Sequence, residues 1–174
     1  MEQDLLSSQG VAAGLDQLAR RLGLYLSAQG WRLATAESCT GGWVAKLLTD
    51  IPGSSRWFER GFVVYSNEAK CELLDVPAAL IDQHGAVSGQ VARAMVEGAL
   101  AHSRAELALA ITGIAGPGGG TSDKPVGTAW FGWGMRGYGI ATRLNLLRGE
   151  RADIRRQAVE TSLLGLIEYL RLYV

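Results

Sequence analysis

The chain has 174 residues, enough for one domain with a substantial core, and its 17 basic residues balance 17 acidic ones to a formal net charge of zero. That balance excludes a general nucleic-acid or membrane-surface binder, which needs a basic excess. Two cysteines, Cys39 and Cys71, make no disulfide framework and fit a reducing cytoplasm, the expected location.

Met1-Glu2-Gln3-Asp4 does not open a signal peptide, and no run is long enough to span a bilayer, so no membrane partner is expected. Residues 1–10 are polar and expected to be loose at the start of a single domain over 1–174. Leu15, Leu18, Leu22 and Leu26 recur at helical spacing, with Gly30 as the stop. Trp31 to Ala36 reads as a first strand. It leads through Glu37-Ser38-Cys39-Thr40-Gly41-Gly42 into a helix carrying Val44, Leu47 and Leu48. Ser38 thus falls at a strand-to-helix turn, beside amides that the next helix leaves unpaired. Those amides could bind a phosphate or an oxyanion. Ser38 and Thr40 could equally be N-caps, and on this stretch alone the cap reading is preferred.

Ile51-Pro52-Gly53-Ser54-Ser55 breaks the helix, and Trp57 to Tyr65 reads as a second strand with Phe62-Val63-Val64 as its buried part. Ser66 or Asn67 then caps a helix whose first turn holds Lys70. The dipole there disfavours an ammonium group, and partial burial would lower the lysine pKa further, as a general base requires. Asp75-Val76-Pro77 is a turn before a short helix, and Ser88 caps another with Val91, Met95 and Ala99 inside. His84 and His102 have no acidic or cysteine neighbours at ligand spacing, so no metal is expected.

Leu107-Ala108-Leu109-Ala110-Ile111 reads as a central strand buried on both faces. It runs into the glycine-rich Thr112-Gly113-Ile114-Ala115-Gly116-Pro117-Gly118-Gly119-Gly120, which could bring backbone amides to an anion or be a plain connection. Val126 to Met135 and Tyr138 to Leu147, joined by Arg136-Gly137, form an antiparallel hairpin. The last helix buries Val159, Leu163, Leu166 or Ile167, and Leu170. Arg148, Arg151, Arg155 and Arg156 crowd its start, where acidic residues are favoured, which points to a held anion. The whole predicts an α/β fold: a three-layer α/β/α sandwich with a mixed, mostly parallel sheet and an antiparallel hairpin. If the strands before Ser38, Tyr65 and Thr112 are parallel, these segments meet at one sheet edge, with Ser38 and Lys70 as partners.

Three segments, Ala36-Glu37-Ser38-Cys39-Thr40-Gly41-Gly42, Tyr65 to Lys70 and Thr112 to Gly120, resemble the signatures of the CinA carboxy-terminal-domain family, and Lys124-Pro125-Val126-Gly127-Thr128 is similar to it too. Gly149-Glu150-Arg151 departs from it by a Glu where Asp is usual. The resemblance implies a stand-alone nicotinamide-nucleotide amidase without cofactor, converting nicotinamide mononucleotide and water to nicotinate mononucleotide and ammonia. It implies Ser38 as nucleophile and Lys70 as base, with Tyr65 and Thr112 lining the site; Tyr65 is the third catalytic candidate and could steer the proton or stack on the pyridinium ring.

Neutral Lys70 would take the Ser38 proton as the hydroxyl attacks the carboxamide, with the oxyanion against the Thr40-Gly41-Gly42 amides. Cys39, Asn67 and Gly113 complete the expected surroundings. Gly116, Gly118, Gly119 and Arg151 are candidates for the phosphate. Glu37 could hold Lys70 or a ribose hydroxyl, or be structural. Cys39 as nucleophile is a rival, since a thiol at a helix start has a lowered pKa. A nucleotide-binding module without catalysis is the other; it would keep the glycine loop and arginines but have no use for a neutral lysine. A homodimer is the expected assembly, on the strength of five tryptophans.

Overall fold

The order of elements in the computed structural model, which describes residues 14–173, follows from the alternation of apolar runs and glycine-rich breaks. They are α1 (Leu15–Gln29), β1 (Leu33–Glu37), α2 (Trp43–Thr49), a single 3-10 turn (Ser54–Arg56), β2 (Phe58–Val63), α3 (Asn67–Leu74), α4 (Ala78–His84) and α5 (Gly89–Ala101), followed by β3 (Leu107–Gly113), β4 (Thr128–Met135), β5 (Ile140–Leu146) and α6 (Arg151–Tyr173). The loose start expected at residues 1–10 lies outside the described residues.

The strands form one mixed sheet in the order β2-β1-β3-β4-β5. β1 is parallel to β2 and β3, while β3–β4 and β4–β5 are antiparallel. β2, β1, β3 and β5 therefore all point one way, and only β4 runs against them. Successive strand residues face opposite sides, and the sequence of β3 uses this directly. Leu107, Leu109 and Ile111 join a core with Leu33, Phe131 and Trp133 under α1, α2 and α6. Ala108 and Ala110 join Ala34 and Ala36 under α3, α4 and α5. The small residues let α5 lie close to the sheet. At Gly132 of β4 a Cβ would fall 2.8 Å from Val96 and 2.9 Å from the Ala92 carbonyl, so no larger residue fits.

The helical stripes are as the spacing predicts: Leu18, Leu22 and Leu26 in α1, Val91, Met95 and Ala99 in α5, and Val159, Leu163, Leu166, Ile167 and Leu170 in α6 are all buried. Gly30 ends α1 in the left-handed region, and the Ser66 and Ser88 hydroxyls cap α3 and α5. β2 differs from expectation. It is an edge strand, so Val63 is exposed and only Val64, just beyond it, is buried. Among the described residues no helix is long and apolar enough to cross a membrane. Trp57 and Trp133 are buried, and Trp31 and Trp43 pack half-buried on the same core, so these four serve the fold rather than an exposed face.

Candidate active site

Glu37 pairs with Val63 of β2 and Ile111 of β3, so β1 and β2 end level and β3 runs two residues further, to Gly113. The backbone carries the ladder one residue further: Ser38 N–H donates to Ile111 O at 3.0 Å and Val64 N–H to Glu37 O at 2.9 Å. Ser38, the Tyr65 to Lys70 segment and Thr112 thus meet at one sheet edge. β5 ends on the same side and delivers Arg151 at the start of α6.

The helix after Ser38 is not capped by Ser38 or Thr40. Gly42 occupies its N-cap position at φ 89° without a side-chain bond. The cap comes instead from Glu37, fully buried on β1. Its Oε2 accepts from Val44 N–H at 3.0 Å and from the Thr40 hydroxyl at 2.7 Å, and its Oε1 from Ala45 N–H at 2.8 Å. The Val44 and Ala45 amides are therefore occupied by Glu37 and are not open to an oxyanion or phosphate. Of the readings left open for Glu37, its contacts are those of a structural carboxylate. A strand-end carboxylate reaching across the loop satisfies the same unpaired amides that a local cap would. Glu37→Ala should therefore cost about 3 kcal/mol, because it strands buried donors as well as removing a cap. A urea unfolding midpoint reads this, and Glu37→Gln, which keeps one acceptor, should cost less.

Lys70 is only 1% exposed. Its Nζ lies 3.2 Å from Ser38 Oγ and donates to three backbone carbonyls, Val64 at 3.0 Å, Tyr65 at 3.3 Å and Ser66 at 3.2 Å. The side chain curls back from the first turn of α3 onto the end of β2. Burial pushes the lysine pKa below its ordinary value, against the smaller opposing pull of Cys39, Cys71 and Glu68. The lowering comes first from desolvation, the burial that the sequence reading set beside the helix dipole.

Cys39 is buried beside Ser38, and burial pushes its thiol up to about 11, despite its own backbone amide and Arg155. The thiol is protonated at neutral pH, opposite to the shift expected at a helix start, which removes the main argument for a cysteine nucleophile.

A cleft of about 210 Å³ opens over these groups, lined by Ser38, Cys39, Tyr65, Asn67, Lys70, Ala86, Val87, Thr112, Gly113, Ala115 and Arg151. Arg151 donates to Tyr65 Oη at 3.1 Å and to Gly116 O at 2.7 Å, tying the second strand's exit to the glycine-rich loop. Of the other predicted residues, Glu37, Thr40, Gly41, Gly116, Gly118 and Gly119 are not in the lining. Gly118 and Gly119 are exposed.

Sequence reasoning missed the Ala86-Val87 wall. Thr112 Oγ1 donates to Ala86 O at 2.8 Å, and Lys124 Nζ to His84 O at 2.7 Å and Val87 O at 2.9 Å. The lysine and proline after the glycine-rich loop were the available signal. The arginine cluster also divides: Arg155 binds the carbonyls of Cys39 and Thr40, and Arg156 pairs with Glu160 on the surface. His102 pairs with Asp75, and among the described residues no group of three or more His, Cys, Asp or Glu side chains could hold a metal ion.

A three-layer α/β domain with a serine and a buried lysine at its parallel strand ends is the class this geometry defines. Residues 15–170 match the CinA C-terminal domain, and the chain belongs to that family. It is 54% identical over 150 residues to a nicotinamide-nucleotide amidohydrolase PncC of Escherichia coli K12, covering 86% of this chain and 90% of that protein. A protein of the same description from Pseudomonas putida is 48% identical, over 87% of this chain and 94% of its own. Among solved structures, the competence/damage inducible protein CihA of Agrobacterium tumefaciens superposes with a TM-score of 0.86 at 43% identity, over 88% of this chain and 94% of that one.

Proposed function

We propose that the chain is an amidohydrolase that converts nicotinamide mononucleotide and water to nicotinate mononucleotide and ammonia, with Ser38 as nucleophile and Lys70 as base. The observation that carries this reading is the buried Lys70 Nζ 3.2 Å from Ser38 Oγ. A neutral amine at hydrogen-bond distance from a hydroxyl is the arrangement that activates a serine. The names of the relatives support the substrate. A binding module without catalysis has no use for a lysine held out of water at such cost.

Ser38 Oγ attacks the carboxamide carbon while its proton passes to Lys70 Nζ. The oxyanion faces the Thr40 amide, which has no hydrogen-bond partner within the protein among the described residues, and the Cys39 amide, whose partner is its own thiol. Lys70 returns the proton to the departing ammonia, leaving an ester on Ser38. Water, deprotonated by the same lysine, then releases the carboxylic acid and restores the hydroxyl. Tyr65 and Asn67 flank the ring, and Arg151 at the cleft mouth takes the phosphate.

Incubating the protein with nicotinamide mononucleotide should release ammonia and nicotinate mononucleotide in equal amounts; no release under any buffer condition would overturn the reading. The phosphate contact has its own test. The riboside, which lacks the phosphate, should be poorer by at least about tenfold in kcat/KM, or ~1.4 kcal/mol. Arg151→Ala should weaken use of the mononucleotide and hardly touch the riboside. Equal losses on both substrates would remove Arg151 from the phosphate.

A further inference from the structure

Arg155 stands 116 residues from the loop it binds, and its guanidinium takes two consecutive carbonyls there. Nε donates to Cys39 O at 3.1 Å and Nη2 to Thr40 O at 2.8 Å. The guanidinium also lies over the Trp43 ring, with Cζ 5.4 Å from its centroid. The loop needs such a fixture. It runs straight into Gly41 at φ 61° and Gly42 at φ 89°, residues that hold no single backbone conformation by themselves.

In a trans peptide the carbonyl and the following N–H point in opposite directions. Turning Cys39 O to Arg155 therefore turns Thr40 N–H away from the guanidinium. In the preceding peptide unit, Ser38 O accepts from Gly41 N–H at 3.0 Å, which turns Cys39 N–H the other way as well. Other amides of the loop and helix start are occupied: Ser38 N–H by Ile111 O, Gly41 N–H by Ser38 O, Trp43 N–H by Thr40 O, and Val44 and Ala45 N–H by Glu37. Among the described residues the Thr40 N–H beside Ser38 has no partner and the Cys39 N–H has only its own thiol, and Arg155 fixes the peptide that bears the Thr40 donor.

We infer that Arg155 is a positioning residue for the oxyanion, acting through the Cys39–Thr40 peptide. It aims the Thr40 amide, and its charge on the carbonyl end of that peptide makes the amide a stronger donor. Arg155 is not among the residues that line the cleft over Ser38 and Lys70. This inference rests on Ser38 being the nucleophile, but not on the identity of the substrate.

The experiment uses two readouts. With nicotinamide mononucleotide, Arg155→Met should lower kcat on the order of 10- to 100-fold, since losing a whole oxyanion donor costs more. KM should stay within about threefold and the acid limb of the pH profile should not move, because Lys70 is untouched. Arg155→Lys, which keeps the charge but not the planar fork, should recover part of the loss. The second readout is the rate at which a fluorophosphonate labels Ser38. There the serine oxygen bonds phosphorus, fluoride leaves, the proton goes to Lys70, and the phosphoryl oxygen occupies the oxyanion position. This rate should fall in parallel with kcat.

Labelling is measured per folded molecule, with folding checked by circular dichroism, so a loss of stability alone does not mimic the effect. Wild-type labelling rates in Arg155→Met, or a loss confined to KM, would overturn the inference. If the wild-type protein leaves nicotinamide mononucleotide intact while Arg155→Met still slows labelling, the substrate assignment fails and the role of Arg155 stands.

Discussion

Ser38→Ala should abolish ammonia release from nicotinamide mononucleotide, with a loss of at least about 10⁴-fold in kcat, because no other nucleophile is in position. The adjacent Cys39→Ala should keep most of the activity. Its thiol, pushed up to about 11 by burial, is protonated across the working range. The pair of variants separates two neighbours that the sequence alone leaves as rivals. Ser38→Ala should fold normally, since the hydroxyl faces Lys70 and caps no helix. An active Ser38→Ala enzyme together with a dead Cys39→Ala enzyme would reverse the assignment.

Lys70→Arg should be nearly as inactive, by about 10³-fold or more, because a guanidinium does not shed its proton near neutral pH. The same residue sets the pH dependence. Burial moves its pKa down from the ordinary lysine range, and the base works only when neutral. Activity should therefore rise with pH through the Lys70 pKa, and that limb should lie below the ~10.4 of a free lysine. A kcat/KM profile measured from pH 5 to 10 reads this directly. Normal turnover in Lys70→Arg would remove the lysine from the base role.

The parts of this molecule that were legible in the sequence are those where one local rule decides. The Leu-Ala alternation of β3 names both faces of the central strand. The leucine stripes name the inner sides of α1 and α6, and glycine punctuation marks the ends. The convergence of Ser38, Lys70 and Thr112 followed from strands that end in parallel. What was not legible depends on partners far away along the chain. Nothing local to Val63 says that β2 lies at the sheet edge; that follows from which strand pairs with which. Glu37 stayed open between a partner of Lys70, a ribose ligand and a structural carboxylate, because its task, capping α2 from inside the sheet, is set by how the helix is placed. Arg155 looked like one basic residue among four until the start of α6 was brought against the Ser38 loop. Ala86 and Val87 carry no chemistry of their own and enter the site only because Thr112 and Lys124 hold that backbone there.

The surroundings of Lys70 have a consequence in the counting of protons. Four acceptors face Nζ: three carbonyls at the end of β2 and Ser38 Oγ. A neutral amine brings two protons and a lone pair. With the lone pair turned to the serine hydroxyl, the two protons reach two carbonyls. The proton taken from Ser38 arrives on that lone pair, along the line to Oγ, and the other two stay where they were. All three carbonyl dipoles turn their negative ends to Nζ, so the cage favours the lysine as it stands after it has taken the proton, while burial disfavours that charge in the resting protein. Environment that fits the later state better than the earlier one lowers the barrier between them. Because the acceptors are strand-end backbone rather than side chains, they are already in place when the proton arrives, and almost no rearrangement accompanies the transfer.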